Sequence, residues 1–150
     1  MKRRRGPITR RSVAAQALVE FALVSPLFFF MIFGVIDFGR YVYYVQILNN
    51  AAREGARYAI VHGNNSLDAT GPTSSDPSGS AVKTVVRQYA VGVIGDSSVL
   101  VVTPTWNPST LNGRGTEVTV RVSYPFHSVI PVVPIPPVTI NGESTLVINN

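Results

Sequence analysis

Residues 13–36 read VAAQALVEFALVSPLFFFMIFGVI, a long and almost uncharged apolar stretch. From Phe21 to Ile36, 16 residues carry no charge and 13 of them are apolar. A helix rises about 1.5 Å per residue and the hydrocarbon core of a bilayer is about 30 Å thick. The 24 residues are therefore enough to span it. Six of the seven phenylalanines lie between Phe21 and Phe38, all round the helix, whereas a soluble helix would show a polar face. The stretch predicts a membrane-spanning helix.

The basic residues are concentrated before this stretch. Six of the 13 Lys and Arg residues lie within residues 1–11, and the other seven nearly balance the eight acidic residues. Short basic flanks stay on the cytoplasmic side, so the chain after Asp37 is expected outside the cytoplasm. A tail that binds nucleic acid is the alternative, but no aromatic residues are interleaved with the arginines and no basic domain follows. We expect a single-pass inner-membrane protein with a cytoplasmic N-terminus and no nucleic-acid partner.

The composition argues against an enzyme. The chain has no Cys, which excludes disulfides, thiolate metal sites and cysteine nucleophiles. His62 and His127 have no second ligand at metal-binding spacing, and no nucleophile elbow, phosphate-binding loop or HExxH motif occurs. The acidic residues outside the span are scattered. The sequence therefore predicts neither a catalytic residue nor a cofactor or metal site.

Glu20 is the single charge inside the apolar stretch. An ionisable side chain at the centre of a span costs about 2.5–3.5 kcal/mol on insertion scales, so it needs a partner or a function. Two interpretations stay open. Glu20 either pairs with a positive charge inside the membrane, or lies near the cytoplasmic headgroups, where the cost is smaller and no special role follows.

The sequence around Glu20 resembles a type IV prepilin signal. Residues 14–21, AAQALVEF, follow a basic leader and place a carboxylate early in the apolar helix. The resemblance implies cleavage by a membrane peptidase between Ala15, where that family usually has Gly, and Gln16. Glu20 would then face the new α-amine of Gln16 in its own or a neighbouring subunit, and this pairing of opposite charges would fix the axial register between subunits.

Several linked segments resemble the TadE-like family, the minor pilins or pseudopilins of the tight-adherence (Flp) pilus machinery. They are QALVEFALV (16–24), Pro26, DFGR (37–40) and NAAREGARYA (50–59). The resemblance implies a function in subunit packing. It implies as partners the prepilin peptidase, related minor pilins and the inner-membrane pilus assembly platform with its cytoplasmic ATPase. The alternative is an unprocessed, signal-anchored envelope protein whose outer domain binds protein or carbohydrate.

Beyond the membrane, a seven-residue repeat predicts that the helix continues to about Ile60. Its apolar or small positions are three and four residues apart and form one packing seam: Phe38, Tyr41, Val45, Leu48, Ala52, Gly55 and Ala59. The small residues at the outer end permit close approach of another backbone, either this chain's own sheet or a second subunit. The sequence leaves both possibilities open.

The rest of the chain predicts a small outer domain of the α+β class, as in a pilin. In residues 63–80, 16 of 18 are Gly, Pro, Ser, Thr, Asn or Asp, which predicts a flexible linker. A short amphipathic helix follows from Val82, ended by Gly92 or Gly95, and then an antiparallel sheet of three or four strands. The predicted strands are Val99–Thr103, Val118–Tyr124 and parts of Val138–Ile148 with a turn at Asn141–Gly142, and the proline-rich residues 125–137 form an extended surface segment.

The predicted organisation is a basic cytoplasmic leader (1–15), a transmembrane and stem helix (16–62), the linker (63–80) and an extracytoplasmic α+β domain (81–150).

Overall fold

The computed structural model describes residues 10–94, 96–129, 136 and 138–149. Its elements, in chain order, are helix α1 (Arg10–Val61), helix α2 (Ser80–Ile94), a 3₁₀ turn (Ser97–Val99) and the strands β1 (Val101–Asn107), β2 (Glu117–Phe126) and β3 (Val138–Val147). The strands form one antiparallel sheet in the order β1-β2-β3. The predicted α+β class, with a long N-terminal helix, a short helix and a small antiparallel sheet, is confirmed.

Helix α1 has two halves with different surroundings. In residues 13–36 every side chain is exposed except Ser25 and Gly34, which are partly covered. From Leu48 onward, one face of the same helix is buried against the sheet and α2. We call the unit formed by α2, the sheet and residues 44–61 of α1 the head.

The core of the head lies between the outer half of α1, α2 and one face of the sheet. Along β2 the valines 118, 120 and 122 are fully buried, whereas Glu117 and Arg121 face solvent, as the alternating pattern predicted. The other buried apolar residues come from all three layers: Leu48, Ala51, Ala52, Ala56 and Ala59 of α1; Val82, Val86 and Ala90 of α2; and Leu100, Val102, Trp106, Phe126, Ile140 and Ile148.

The predicted turn at Asn141–Gly142 is wrong, because β3 is continuous and pairs with β2 along its whole length. Gly142 lies where β3 crosses α1. A Cβ atom at this position would lie 2.5 Å from the carbonyl oxygen of Leu48 and 2.6 Å from the amide nitrogen of Asn49. The glycine therefore permits close approach of strand and helix backbones rather than a chain reversal.

Other boundaries also differ from the sequence prediction. Val99 lies in the 3₁₀ turn, and β1 runs through Pro104, which an edge strand tolerates because it needs no amide donor on its free side. Pro125 lies within β2, beyond the residues that pair with β1. Helix α2 continues through Gly92, and the alternative end at Gly95 lies outside the described residues, as do residues 1–9 of the leader and 130–135 and 137 of the proline-rich segment.

The connection between α1 and α2 is held by side-chain hydrogen bonds. Buried Asn112 donates from Nδ2 to the carbonyl oxygen of Thr70 at 3.1 Å and accepts from the hydroxyl of Thr73. These contacts tie the connection to the loop that precedes β2. The flexibility of residues 63–80 in solution stays a prediction.

Asp76 connects this loop to the start of α2. Its carboxylate accepts hydrogen bonds from the backbone amides of Ser80 at 2.8 Å and Ala81 at 2.9 Å. It also accepts hydrogen bonds from the hydroxyls of Ser80 and Thr70. The first amides of a helix have no partner within the helix, so Asp76 satisfies two of them. Burial, the largest single influence, acts to raise the pKa of Asp76, but the hydrogen bonds together outweigh it and hold the pKa well below its ordinary value.

Asp76→Ala is expected to lower the unfolding free energy of the head by about 1–3 kcal/mol, because it removes a helix cap and leaves partly buried donors unpaired. The fluorescence of Trp106, the single tryptophan, measures this during chemical denaturation. Asp96→Ala is the matched control, since Asp96 accepts similar hydrogen bonds from Ser98 at an exposed turn, and it should have the smaller effect. Equal effects of the two variants would contradict the role of Asp76.

The contribution of Asp76 has a definite pH dependence. Because its folded-state pKa is lowered, the stabilisation is complete above the ordinary pKa of 3.8 and is lost as the pH falls through the folded-state value. The stability difference between the wild type and Asp76→Ala should therefore shrink below about pH 4.

Candidate functional site

The N-terminal half of α1 is an apolar surface that the other described residues leave almost uncovered. Within the described residues, one helix is long and apolar enough to cross a membrane by length and composition, and its most apolar window is entirely uncovered by the rest of the chain. Large apolar side chains are exposed throughout it, including Leu23 at 74% and Met31 at 71%. An exposed apolar area of this size indicates a membrane anchor.

Glu20 lies on this exposed half of α1. Gln16 donates from Nε2 to Oε1 of Glu20 at 3.2 Å, as side chains four residues apart on a helix do. Among the described residues, no Lys, Arg or His side chain forms an ion pair with Glu20. Ala15 and Gln16, the residues at the predicted cleavage site, lie within the first two turns of α1. The described contact of the Glu20 carboxylate is thus with a neutral amide.

The residues of the predicted seam divide between two environments. Leu48, Ala52 and Ala59 are fully buried in the head, and a Cβ atom on Gly55 would meet side chains of α2 and β2. Val45 is half-buried against the same core. The structure therefore brings the outer, small-residue end of the seam against this chain's own sheet and α2.

The inner end of the seam is more open. Phe38 is 69% exposed and Tyr41 is 38% exposed. Tyr41 packs its ring edge-to-face on Phe126, the last residue of β2, with the ring centroids 5.9 Å apart. Phe38 and the outer seam residues are not brought into one cluster.

Asp37 marks the border between the exposed and the packed halves of α1, and its contacts were not foreseen from the sequence. The side chain of Asp37 is buried, although Asp37 directly follows the exposed apolar stretch at residues 13–36. The amide of Val129 donates to its two carboxylate oxygens at 3.1 and 3.0 Å, and the hydroxyl of Ser128 also donates to it. Arg40, one helical turn further, pairs with it at 3.0 Å. Asp37 thus joins α1 to the chain that leaves the end of β2.

An aromatic cluster surrounds Arg40 on the outer side of Asp37. The guanidinium carbon lies 5.3 Å from the ring centroid of Phe126 and 5.8 Å from that of Tyr44. Tyr44 also packs edge-to-face on Phe126 and on Tyr124 of β2. Cation–π and aromatic contacts of this kind fix the angle at which β2 meets the helix.

Elsewhere in the described part of the chain, several polar side chains have structural partners, whereas buried Arg87 Nε and Trp106 Nε1 have no hydrogen-bond partner among the described residues. No three His, Cys, Asp or Glu side chains among these residues lie close enough together to hold a metal ion. His62 stacks on Tyr58 and bonds through Nδ1 to the backbone oxygen of the same residue at 2.9 Å. Arg121 and Glu143 pair at 2.7 Å across neighbouring strands on the exposed face of the sheet, where such pairs contribute little stability.

Taken together, the uncovered apolar half-helix and the packed head define a protein of the helix-anchored α+β class. Residues 15–57 match the family model described as TadE-like protein, which confirms the resemblance over this segment. The segment contains Ala15, Gln16, Glu20, Asp37 and the seam as far as Gly55. Comparisons with curated proteins and with solved structures find no match. The match covers 43 of the 150 residues and over that segment suggests an involvement in Tad pilus assembly.

Proposed function

We propose that the protein is a membrane-anchored minor pilin or pseudopilin of tight-adherence (Flp) pilus assembly, which acts by subunit packing and not by catalysis. The observation that carries the proposal is the single continuous helix α1. It presents an uncovered apolar half with one carboxylate and then packs a small head on its outer half. The family match over residues 15–57 supports the same function.

The proposed organisation follows the halves of α1. Residues 1–15 form a cytoplasmic leader, and residues 16–62 anchor the protein in the inner membrane and continue as the stem. Residues 63–80 link the stem to the domain at 81–150, which lies outside the cytoplasm and presents the surface for partner recognition. The polar exposed face of the sheet, with its Arg121–Glu143 pair, supports an aqueous location for this domain.

The proposed partners are the prepilin peptidase, related minor pilins and the inner-membrane assembly platform. The peptidase would cut between Ala15 and Gln16. Because both residues lie inside α1, the first turns of the helix must open before this bond reaches a peptidase.

The mass of the protein extracted from membranes tests this proposal. In a host that carries a prepilin peptidase, we expect a chain that has lost residues 1–15 and starts at Gln16. Ala15→Leu should keep the leader, because a large residue blocks a site that accepts small ones, whereas Leu18→Ala should be processed as the wild type is. A wild-type chain that keeps its full length would contradict the pilin proposal. It would favour an unprocessed, signal-anchored envelope protein that binds protein or carbohydrate.

A further inference from the structure

The contact between Asp37 and Val129 fixes the height of the end of β2 along α1. Asp37 directly follows Ile36, the last residue of the apolar stretch, and its carboxylate lies within 3.1 Å of the Val129 amide nitrogen. A hydrogen bond of this length cannot bridge more than about one helical turn along the axis. Val129 therefore lies level with the outer end of the membrane-spanning half of α1.

Several exposed apolar side chains lie at the same level. Val129 is 52% exposed, and the neighbouring positions on α1 present Phe38 at 69% and Tyr41 at 38%. Aromatic side chains with this placement are typical of the boundary between lipid headgroups and hydrocarbon. Within the described part of the chain, Phe126 packs on Tyr41, whereas Phe38 and Val129 remain largely exposed.

We propose that the head rests on the membrane surface through residues 127–129, which directly follow β2, with the side chain of Val129 in the interfacial layer of the bilayer. The inference rests on the proposed membrane span and adds to it a second lipid contact, 93 positions beyond the end of that span. The occupant of this face is lipid because the face is continuous with the uncovered apolar surface of α1.

Asp37 is the residue that holds this contact in place. A carboxylate at the edge of the hydrocarbon would be costly without partners. Here it accepts the Val129 amide and the Ser128 hydroxyl and pairs with Arg40. The same bonds that satisfy the charge also hold the end of β2 down against the membrane border. We call this set of bonds the Asp37 clasp.

Because the chain has no cysteine, single-cysteine labelling of the full-length protein tests the proposal directly. The variant Val129→Cys is labelled with an environment-sensitive fluorophore and reconstituted in vesicles of phosphatidylcholine and phosphatidylglycerol. The vesicles also contain a lipid that carries a nitroxide quencher near its headgroup. Leu111→Cys is the matched control, since Leu111 is also 52% exposed but lies in the loop before β2. Val24→Cys reports on the span itself.

The label at position 129 should be quenched by the nitroxide lipid at least about twofold more strongly than the label at position 111, and the label at position 24 should also contact lipid. If position 24 contacts lipid and position 129 behaves like position 111, the inference is wrong and the membrane anchor stands. If position 24 is accessible to an aqueous quencher, the anchor itself is wrong. A label at position 129 that is shielded from both quenchers would place a second protein copy there and overturn the proposal.

Asp37→Ala tests the clasp in the same assay. The label at position 129 is expected to lose at least about half of its lipid quenching, because the chain end is no longer tied to the helix. The emission of Trp106, buried in β1, shows whether the head remains folded. Unchanged quenching in a folded Asp37→Ala protein would overturn the role assigned to Asp37.

Discussion

Replacing Gly142 with alanine is expected to destabilise the head by about 3 kcal/mol or more. The added Cβ would lie 2.5 Å from the Leu48 carbonyl oxygen and 2.6 Å from the Asn49 amide nitrogen. Both are backbone atoms of α1, so no side-chain rotation relieves the overlap. Strand and helix must separate, and the separation opens the core beside Val122, which pairs with Gly142.

Chemical denaturation of the full-length protein in mild detergent, followed by Trp106 fluorescence, measures this loss. Trp106 is 8% exposed and is the single tryptophan, so its emission reports on the head and not on the apolar half of α1. Gly92→Ala is the matched control. Gly92 lies within α2 with nothing within 4 Å of an added Cβ, so the control should be as stable as the wild type or more stable by about 0.5–1 kcal/mol. If Gly142→Ala unfolded at the same denaturant concentration as Gly92→Ala, β3 would not lie against α1 as described.

Gly142 illustrates that local sequence patterns do not contain long-range contacts. An Asn-Gly pair within a β-prone segment is a strong hairpin signal, and it predicted a turn here. The signal failed because the glycine meets a different requirement, the approach of a helix that precedes it by more than 90 residues. By contrast, the valines of β2 were correctly predicted, since a period of two on a half-buried strand is decided by neighbouring residues alone.

In the candidate site, too, the local features could be predicted from the sequence and the long-range contacts could not. The charge-free stretch and the lone Glu20 are local features and are visible in the sequence. The partners of Asp37 are not, because Ser128 and Val129 are 91 and 92 positions away and no local pattern encodes such a contact. The seven-residue repeat indicated one seam on α1 but not which part of it the head covers. That depends on the height at which β3 crosses the helix, at Leu48.

Asp76 is an intermediate case. The capping pattern places an acidic side chain directly before the first turn, whereas Asp76 lies four residues before Ser80, so the sequence indicates its interaction with the helix start only loosely. Its hydrogen bond to Thr70 could not be found from the sequence, because that bond depends on how the loop folds back on itself.

Glu20→Gln is expected to reduce co-purification of the protein with related minor pilins by about tenfold or more, while its membrane insertion is at least as efficient as that of the wild type. A hydrogen bond to a charged group contributes about 1.5–3 kcal/mol, and each 1.4 kcal/mol corresponds to about a factor of ten in binding. Within the described part of the chain Glu20 bonds only the neutral side chain of Gln16, so its charge is left for a partner. After the proposed cleavage, that partner would be the α-amine of Gln16 in the same or a neighbouring subunit.

The two expectations for Glu20→Gln have opposite signs, which makes the experiment decisive. Removing a charge from an apolar span makes insertion more favourable, so lost co-purification could not be attributed to poor insertion. The amide keeps the size and one acceptor oxygen of the side chain, so the loss would report chiefly on the charge. Leu23→Ala, at a 74% exposed position of the same half-helix, is the control for altered lipid contact and should co-purify normally. Normal co-purification of Glu20→Gln would instead place Glu20 among the cytoplasmic headgroups, where its charge is solvated and subunit register must come from elsewhere.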